Sequence, residues 1–270
     1  MKEYDFYVVP TPIGNLQDMT FRAVEILKSV DVIACEDSRN TQKLLNHFNI
    51  KTKCLSYHKY NERERVEKIV EIIENGGKVA LVSDAGTPLI CDPGSIIVKE
   101  LRKRNFKVTA LPGANAVATF LSQISREDEH YTFVGFLPKG KTQIEEIIKN
   151  YETQNIVFYE SPNRIEQTLQ IIENTRPGAE IGIGRELTKV FEEVVVDKCS
   201  NLINKFKQTP PRGEFVVMIF KNEKSFDEQS IETKVNILKN KGFSGKDISV
   251  ILSELYGINK NKIYKVTLSK

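Results

Sequence analysis

Short apolar runs alternate with amphipathic helical patterns along most of this chain, and that alternation limits the architecture more than any other feature. Phe6–Pro10 reads as a strand. Thr20–Ser29 follows as a helix with Phe21, Val24 and Leu27 in its apolar stripe, widened by Ile26. A strand lies within Asp31–Glu36, then helices at Asn40–Phe48 and Asn61–Asn75, the second closed by Gly76–Gly77. Next come a strand at Lys78–Val82 and a helix opened by Pro93 and running to Arg104, with Asp92 as its N-cap. A strand at Val108–Leu111 turns through Pro112–Gly113 into the helix Ala114–Gln123. Repeated strand–helix alternation implies a mainly parallel sheet covered on both faces.

The polar, charged stretch Ser125–His130 reads as a linker into a second α/β series. Its strands are expected at Tyr131–Pro138 (with a loop), Asn155–Tyr159, Glu180–Gly184, Val190–Val196 and Glu214–Phe220. Its helices are expected at Thr142–Tyr151, Pro162–Asn174 and Ser200–Phe206. Too few residues separate Gly184 from Val190 for a crossover helix, so this half should not be purely parallel. Beyond Lys221 the character changes to short helices at Ile231–Lys239, Lys246–Tyr256 and Asn261–Val266. Ile248, Ile251, Leu252 and Leu255 can face one small core, as a helix-turn-helix-like module or a plain helical cap. The expected division is 1–124, 125–222 and 223–270.

Composition excludes several classes. The 270 residues carry a net charge of only +3, so attraction to a polyanion must come from local patches. From Lys221 onward there are ten lysines and six acids; the excess can simply solubilise a small module or touch nucleic-acid phosphates. Four cysteines are scattered without a CxxC pair, which predicts reduced thiols in a cytoplasmic protein. The three histidines have no metal-ligand spacing, and no metal is expected. No cleavable leader and no membrane-length apolar run are seen. GxxxxGK[ST], GxSxG and HExxH are absent, and Gly182-x-Gly184 is only a fragment of a dinucleotide fingerprint.

The candidate sites lie where strands end, because ligands of open α/β sheets bind at the carboxyl ends of the strands. Val79–Gly94 runs VALVSDAGTPLICDPG, a buried strand followed by carboxylates and open backbone. Asp84 suits a ribose, an amino group or a positive centre, and Gly86 permits close approach. Thr11, Pro12, Gly14 and Asn15 form a companion loop, either a structural turn or a set of amides facing a ligand. Leu111–Ala116 is a third such turn. Asp37 and Arg39, Tyr159–Arg164 and Gly184–Lys189 place both charge signs at further strand ends. Each allows a bland reading, as caps and surface ion pairs, and a functional one, as the wall of a cleft between two α/β halves.

Taken in order, PTPIGNL (10–16), EDSRNT (36–41), DAGTPLICDPG (84–94), LPGANA (111–116), FVGFLPKG (133–140), YESPNRI (159–165) and GRELTKVFEE (184–193) form a series. The series resembles the ribosomal RNA small-subunit methyltransferase I family. The resemblance covers residues 4–220 and, more loosely, the tail from 244 to 265. It implies a tetrapyrrole methylase-like (class III methyltransferase) fold of two α/β domains with a small helical C-terminal domain. It also implies an S-adenosylmethionine-dependent enzyme that methylates the ribose 2′-hydroxyl of a cytidine in the decoding region of 16S rRNA, within the small ribosomal subunit, as a cytoplasmic homodimer. Carried over by motif, Asp84, Ala85, Gly86, Pro88, Pro112, Gly113, Ala114, Tyr159, Ser161 and Gly184 line the cofactor pocket. Thr11, Asn15, Arg39, Arg164, Arg185 and Lys246 face RNA. Glu186 is the first candidate for the base that takes the hydroxyl proton, followed by Asp84, Lys189 and Glu160. Ser38, Cys91 and Asn163 depart from the residues usual in the family; Asn163 replaces a common histidine. Three other readings stay open: a tetrapyrrole-precursor methylase, a different α/β transferase or nucleotide-binding enzyme, and a non-catalytic RNA-binding protein.

Overall fold

The computed structural model describes residues 3–126, 128–221, 228–256 and 258–268. Residues 1–220 form one compact unit and 221–270 another.

The first half of the larger unit is a five-stranded parallel sheet. Its strands are β1 (Phe6–Val8), β2 (Val32–Cys35), β3 (Lys53–Ser56), β4 (Val79–Val82) and β5 (Val108–Ala110), in the order β3-β2-β4-β1-β5. The crossovers are α1 (Phe21–Ser29), α2 (Ser38–His47), α3 (Glu62–Glu74) and α4 (Ser95–Lys103). Two apolar layers sandwich the sheet, as period-2 burial on both faces requires. One joins Phe6, Val8, Val79 and Leu81 to Ile69 and Val70 of α3 and Ile97 and Leu101 of α4. The other joins Tyr7, Val9, Ile33 and Ala80 to Leu27 of α1 and Leu45 of α2. Side chains fix where helices begin: Thr20 accepts from the Ala23 amide at 3.1 Å, and Asp37 from the Arg39 amide at 2.8 Å.

β3 was not foreseen. Its residues, KCLS, lack an apolar run, and the strand sits at the sheet edge with Lys53 exposed. A lysine on an edge strand discourages pairing with other chains but hides the strand from a pattern search.

The second half has β6 (Tyr131–Phe136), β7 (Asn155–Glu160), β8 (Glu180–Arg185), β9 (Glu193–Lys198) and β10 (Phe215–Ile219), in the order β6-β7-β10-β8-β9. Only β6 and β7 pair in parallel; the other neighbours are antiparallel. α6 (Lys141–Asn150), α7 (Ile165–Thr175) and α8 (Cys199–Gln208) cover one face. The expected strand Val190–Val196 is displaced to β9. Glu186 and Thr188 take positive φ (49° and 66°), and the resulting tight turn leaves Val190 93% and Phe191 72% exposed.

The other face of this sheet meets the first half. α5 (Ala116–Leu121), capped by Asn115 onto the Ala118 amide at 3.1 Å, buries Val117, Phe120 and Leu121 against Val157 of β7 and Val216 and Met218 of β10. Gly182 and Gly184 make this approach possible. A Cβ on Gly184 would stand 2.7 Å from Phe120 Cδ2, and one on Gly182 would stand 3.1 Å from Phe120 Cζ. The glycine pair that looked like a fingerprint fragment is a seat for an aromatic ring from the opposite half.

In the smaller unit, α9 (Glu228–Asn240), α10 (Gly245–Tyr256) and α11 (Lys260–Leu268) pool Ile231, Val235, Ile248, Leu252, Ile263 and Val266 into one core. Ile248 and Leu252 face that core as expected. Leu255, although i+7 from Ile248 on the same stripe, is exposed in the last turn of α10. No helix among the described residues is long and apolar enough to cross a membrane, and none of their His, Cys, Asp or Glu side chains group to hold a metal.

Candidate active site

The carboxyl ends of β1 and β4 are tied together before any ligand is considered. Thr11 and Gly86 exchange both backbone hydrogen bonds at 2.9 Å, an isolated bridge between PTPIGNL and DAGTP. Thr11 is buried and its Oγ1 donates to the Ser83 carbonyl at 3.1 Å. Thr87 Oγ1 donates to the Ala114 carbonyl at 2.9 Å, which pins DAGTP to LPGANA. Asp84 closes the group from the other side: its carboxylate accepts from the Asp37 amide at 3.1 Å and from Asn40 Nδ2 at 3.2 Å. Four of the motifs are therefore one hydrogen-bonded platform.

Facing this platform is the edge of the second sheet, and between them lies a cavity of about 410 Å³. Asp84, Ala85, Gly86 and Thr87 line it from β4, with Ile90, Cys91 and Asp92 beyond them and Ile13 and Asn115 beside them. Phe136, Tyr159, Glu160, Ser161 and Pro162 line it from β6 and β7, and Leu187, Glu214, Phe215 and Val216 complete it. Phe136 and Tyr159 pack with ring centroids 5.4 Å apart, and Phe133 meets Tyr159 edge-on at 5.1 Å. Burial pushes the Tyr159 phenol up to about 12, aided by Cys91 and Asp92 across the cavity.

The lining residues include Asp84, Asp92, Glu160 and Glu214 and no lysine, arginine or histidine, although the Glu160 carboxylate itself is buried against Arg164 and Glu214 pairs with Lys189. The acidic balance of such a surface disfavours phosphates. It favours a molecule with a positive centre, which the faces of Phe136 and Tyr159 also attract. Its volume falls in the range of small-molecule sites, roughly 300–1,000 Å³.

The cavity takes in some of the expected site residues and leaves others outside. Of the expected cofactor residues, Asp84, Ala85, Gly86, Tyr159 and Ser161 line the cavity, whereas Pro88, Pro112, Gly113, Ala114 and Gly184 do not. Ala114 acts through its carbonyl on Thr87, Gly113 allows close packing on Pro10, and Gly184 seats Phe120. Glu186 is absent from the lining. Its Oε1 accepts from Lys189 Nζ at 2.9 Å and from the Glu214 amide at 3.1 Å. Burial alone would raise its carboxyl, but Lys189 and that amide outweigh burial and hold it below its ordinary value. A carboxylate so stabilised is a poor proton acceptor. Lys189 also pairs with Glu214 at 2.9 Å; burial would lower its ammonium, and the two glutamates raise it instead, so it stays protonated.

Glu160 is only 2% exposed. It accepts from Thr168 Oγ1 at 2.7 Å and from the Ser161 amide at 2.8 Å, with Arg164 Nη2 at 3.4 Å. That is a structural keystone rather than a free base. Arg164 donates to the carbonyls of Leu137 and Pro138 at 3.1 and 2.7 Å, stapling FVGFLPKG to YESPNRI. Arg185 pairs with Glu193 at 3.1 Å, and Asn15 caps the short turn at Gln17. Thr11, Asn15, Arg164 and Arg185 thus have internal work. Arg39, 87% exposed in its side chain, and Lys246, exposed on α10, keep open faces.

The α4 start also differs from expectation. Gly94 (φ 135°), not Asp92, is the N-cap, because the turn runs on through Leu89 and Cys91, both at φ 70°. Asp92 is released from capping and joins the cavity lining. Phe136 and Glu214 were missed as site residues. FVGFLPKG held a usable signal for the first; nothing before β10 marked the second.

The profile of the tetrapyrrole (corrin/porphyrin) methylases matches residues 5–203. A ribosomal RNA small subunit methyltransferase I of Buchnera aphidicola subsp. Acyrthosiphon pisum is 40% identical over 272 residues, spanning 98% of this chain and 96% of that protein. The protein of the same name from Bacillus subtilis is 42% identical over 228 residues, spanning 83% and 77%. Among solved structures, a cobalt precorrin-4 methyltransferase of cobalamin biosynthesis superposes with a TM-score of 0.60 at 16% identity. It covers 80% of this chain and 94% of that one, a likeness of fold alone.

Proposed function

This chain belongs to the ribosomal RNA small subunit methyltransferase I family, within the tetrapyrrole methylase fold, and from that premise we propose that it methylates the ribose 2′-hydroxyl of a cytidine in the decoding region of 16S rRNA with S-adenosylmethionine as donor. The observation that carries the reading is the cavity between the two sheets, with its acidic and aromatic lining. S-adenosylmethionine fits that lining: its sulfonium and amino groups are cationic against a single carboxylate, its adenine ring and methylene groups suit the aromatic and apolar walls, and it bears no phosphate. When bound, it supplies an electrophilic methyl carbon, and the sulfur keeps the electron pair of the broken C–S bond.

The protein's own part is positioning. The Thr11–Gly86 bridge and the Asp84 contacts fix one wall, and the Phe136–Tyr159 pair fixes the other. Holding the acceptor oxygen against the methyl carbon in such a frame replaces a bimolecular encounter and supplies much of the rate. The target ribose must reach a pocket, so the nucleotide is unpaired or displaced from its helix. Arg39 and the lysines of the smaller unit, Lys246 among them, meet phosphates, and an assembled small subunit is the substrate. The working form is a homodimer in the cytoplasm.

A tetrapyrrole precursor carries several carboxylates, which this lining opposes. The test supplies labelled S-adenosylmethionine with small ribosomal subunits lacking the modification, or with a porphyrinoid precursor, and maps the label. Label on one ribose of 16S rRNA is the expected result. Label on the porphyrinoid, or on a base, would contradict the reading.

A further inference from the structure

The loop between β8 and β9 shows solvent an apolar pair that neither the core nor the cavity uses. The Glu192 amide donates to the Lys189 carbonyl at 3.1 Å, so Val190 and Phe191 occupy the two corners of a tight turn. Glycine, proline, asparagine, aspartate and serine are the usual corner residues. Here both corners are large, apolar and exposed. Single exposed apolar side chains are ordinary on a protein surface. Two adjacent ones, on a turn held as firmly as this, call for a partner.

The firmness comes from several contacts. The Lys189 amide donates to the Glu186 carbonyl at 3.0 Å, and the Thr188 amide donates to the Glu192 carboxylate. Glu186 and Thr188 hold left-handed backbone, a strained state for residues other than glycine and one that collects at working sites. The Thr188 hydroxyl oxygen is buried without a hydrogen-bond partner. On one side Gly213 makes room for Glu186, since a Cβ there would lie 2.4 Å from the Glu186 Cγ. On the other side the turn abuts the first half: a Cβ on Gly14 would stand 2.4 Å from Lys189 Cγ and 3.0 Å from Thr188 Oγ1. Leu187 at the base of the turn and Glu214 beside it line the cavity. The tip therefore stands at the rim of the cavity, where the two halves meet.

We propose that Phe191, with Val190 beside it, is a stacking platform for an unpaired nucleobase of the substrate RNA next to the target nucleotide, and that Arg212 meets the adjoining phosphate. The inference rests on the methyltransfer reading above and names part of the RNA contact of that same site. Single-stranded RNA is recognised by this chemistry, its bases stacking on aromatic rings while cations track the backbone. Arg212 is exposed, its carbonyl accepts from Arg185 Nη1 at 3.5 Å, and no ion pair holds its side chain among the described residues. The cavity lining offers no cation, so a phosphate must be met at the rim. The acids near the tip are already engaged: Glu186 and Glu214 with Lys189, Glu193 with Arg185 and Lys205, and Glu192 with the Thr188 amide.

The role is one of holding. A stack made before the methyl group moves, and kept while it moves, lowers KM and leaves kcat nearly unchanged. Truncating such a platform to alanine typically costs roughly 5–150-fold in affinity.

The experiment measures steady-state methylation of small ribosomal subunits lacking the modification by wild type, Phe191→Ala, Phe191→Leu, Phe191→Trp and Arg212→Gln. Calorimetric S-adenosylmethionine binding, thermal unfolding and sedimentation velocity accompany each. Phe191→Ala and Phe191→Leu should raise KM for subunits about fivefold or more, with kcat within about threefold of wild type. Their cofactor affinity, melting point and oligomeric state should be those of wild type. Phe191→Trp should keep the wild-type KM. The chain contains no tryptophan, so the fluorescence of this variant reports the contact directly. Adding subunits should quench it beyond the loss shown by free tryptophan in the same mixture. Arg212→Gln should reduce the slope of log KM against log salt by about 0.7, the share of one phosphate on a single strand. A smaller KM change in Phe191→Ala, a normal KM in Phe191→Leu, a loss confined to kcat or an unquenched Phe191→Trp would overturn the platform. An unchanged salt slope would overturn the part given to Arg212. Weakened self-association of Phe191→Ala would overturn the proposal and give the tip to a second copy of this chain. Wild type that binds cofactor but labels no ribosomal RNA would overturn the methyltransfer reading itself; an active wild type beside an equally active Phe191→Ala would overturn this inference alone.

Discussion

Gly184→Val should lower the melting temperature of the protein and nearly abolish cofactor binding, although strand statistics favour valine over glycine. Replacing a strand glycine gains about 0.5–1 kcal/mol from backbone entropy. Overpacking a filled core costs about 1–3 kcal/mol, and more where backbone must move. Here the new Cβ would lie 2.7 Å from Phe120 Cδ2 and 3.2 Å from Leu187 Cδ2, and valine adds two further methyls. Phe120 is fully buried in the cluster that holds Val216 and Met218. The clash wins, with a net loss of about 2 kcal/mol or more. In a unit of this size that is roughly 4–8 °C. Relief comes by parting the two halves along α5, and Leu187 lines the cavity, so calorimetric affinity for S-adenosylmethionine should fall with the melting point. Unchanged affinity in a destabilised variant would mean that the seam does not shape the site.

Glu160→Ala should destabilise the enzyme by about 2–3 kcal/mol while leaving any protein that folds with the pH profile of wild type. The carboxylate receives three donors at a position almost closed to water. Removing it deprives the Thr168 hydroxyl and the Ser161 amide of their acceptor, at about 1–3 kcal/mol for each buried group left unpaired. Arg164 softens the loss, because it is partly exposed and keeps the carbonyls of Leu137 and Pro138. Denaturant unfolding measures the first half of this prediction and a pH series the second. A stable variant with an altered pH profile would instead mark Glu160 as a group that takes part in the chemical step.

Much of this was readable before any coordinates. Alternation of strand and helix pointed to a mainly parallel sheet, as the first half is, and the short Gly184–Val190 spacing pointed to antiparallel pairing in the second half, where only β6 and β7 are parallel. The strand-end motifs likewise announced a site at the carboxyl edges. What escaped has physical causes. β3 is short, polar and at an edge. The turn at Glu186–Thr188 depends on left-handed backbone at residues that are not glycine, which leaves no mark in composition. Asp92 followed by Pro93 mimics a helix start, but the left-handed turn through Leu89 and Cys91 and the Glu62 contact to the Gly94 amide go with a start two residues on. Glu186 and Lys189, expected as candidate bases, pair with each other, while Arg164 and Arg185, expected to face RNA, cap two carbonyls and pair with Glu193; pairing across distant segments cannot be seen in one dimension.

The most direct trial of the account is a crystal structure of the protein soaked or grown with S-adenosylmethionine. The ligand should lie between the Asp84–Thr87 turn and the Phe136–Tyr159 edge, in contact with both. A ligand bound outside that cleft, or contacts confined to one of the two sheets, would contradict it.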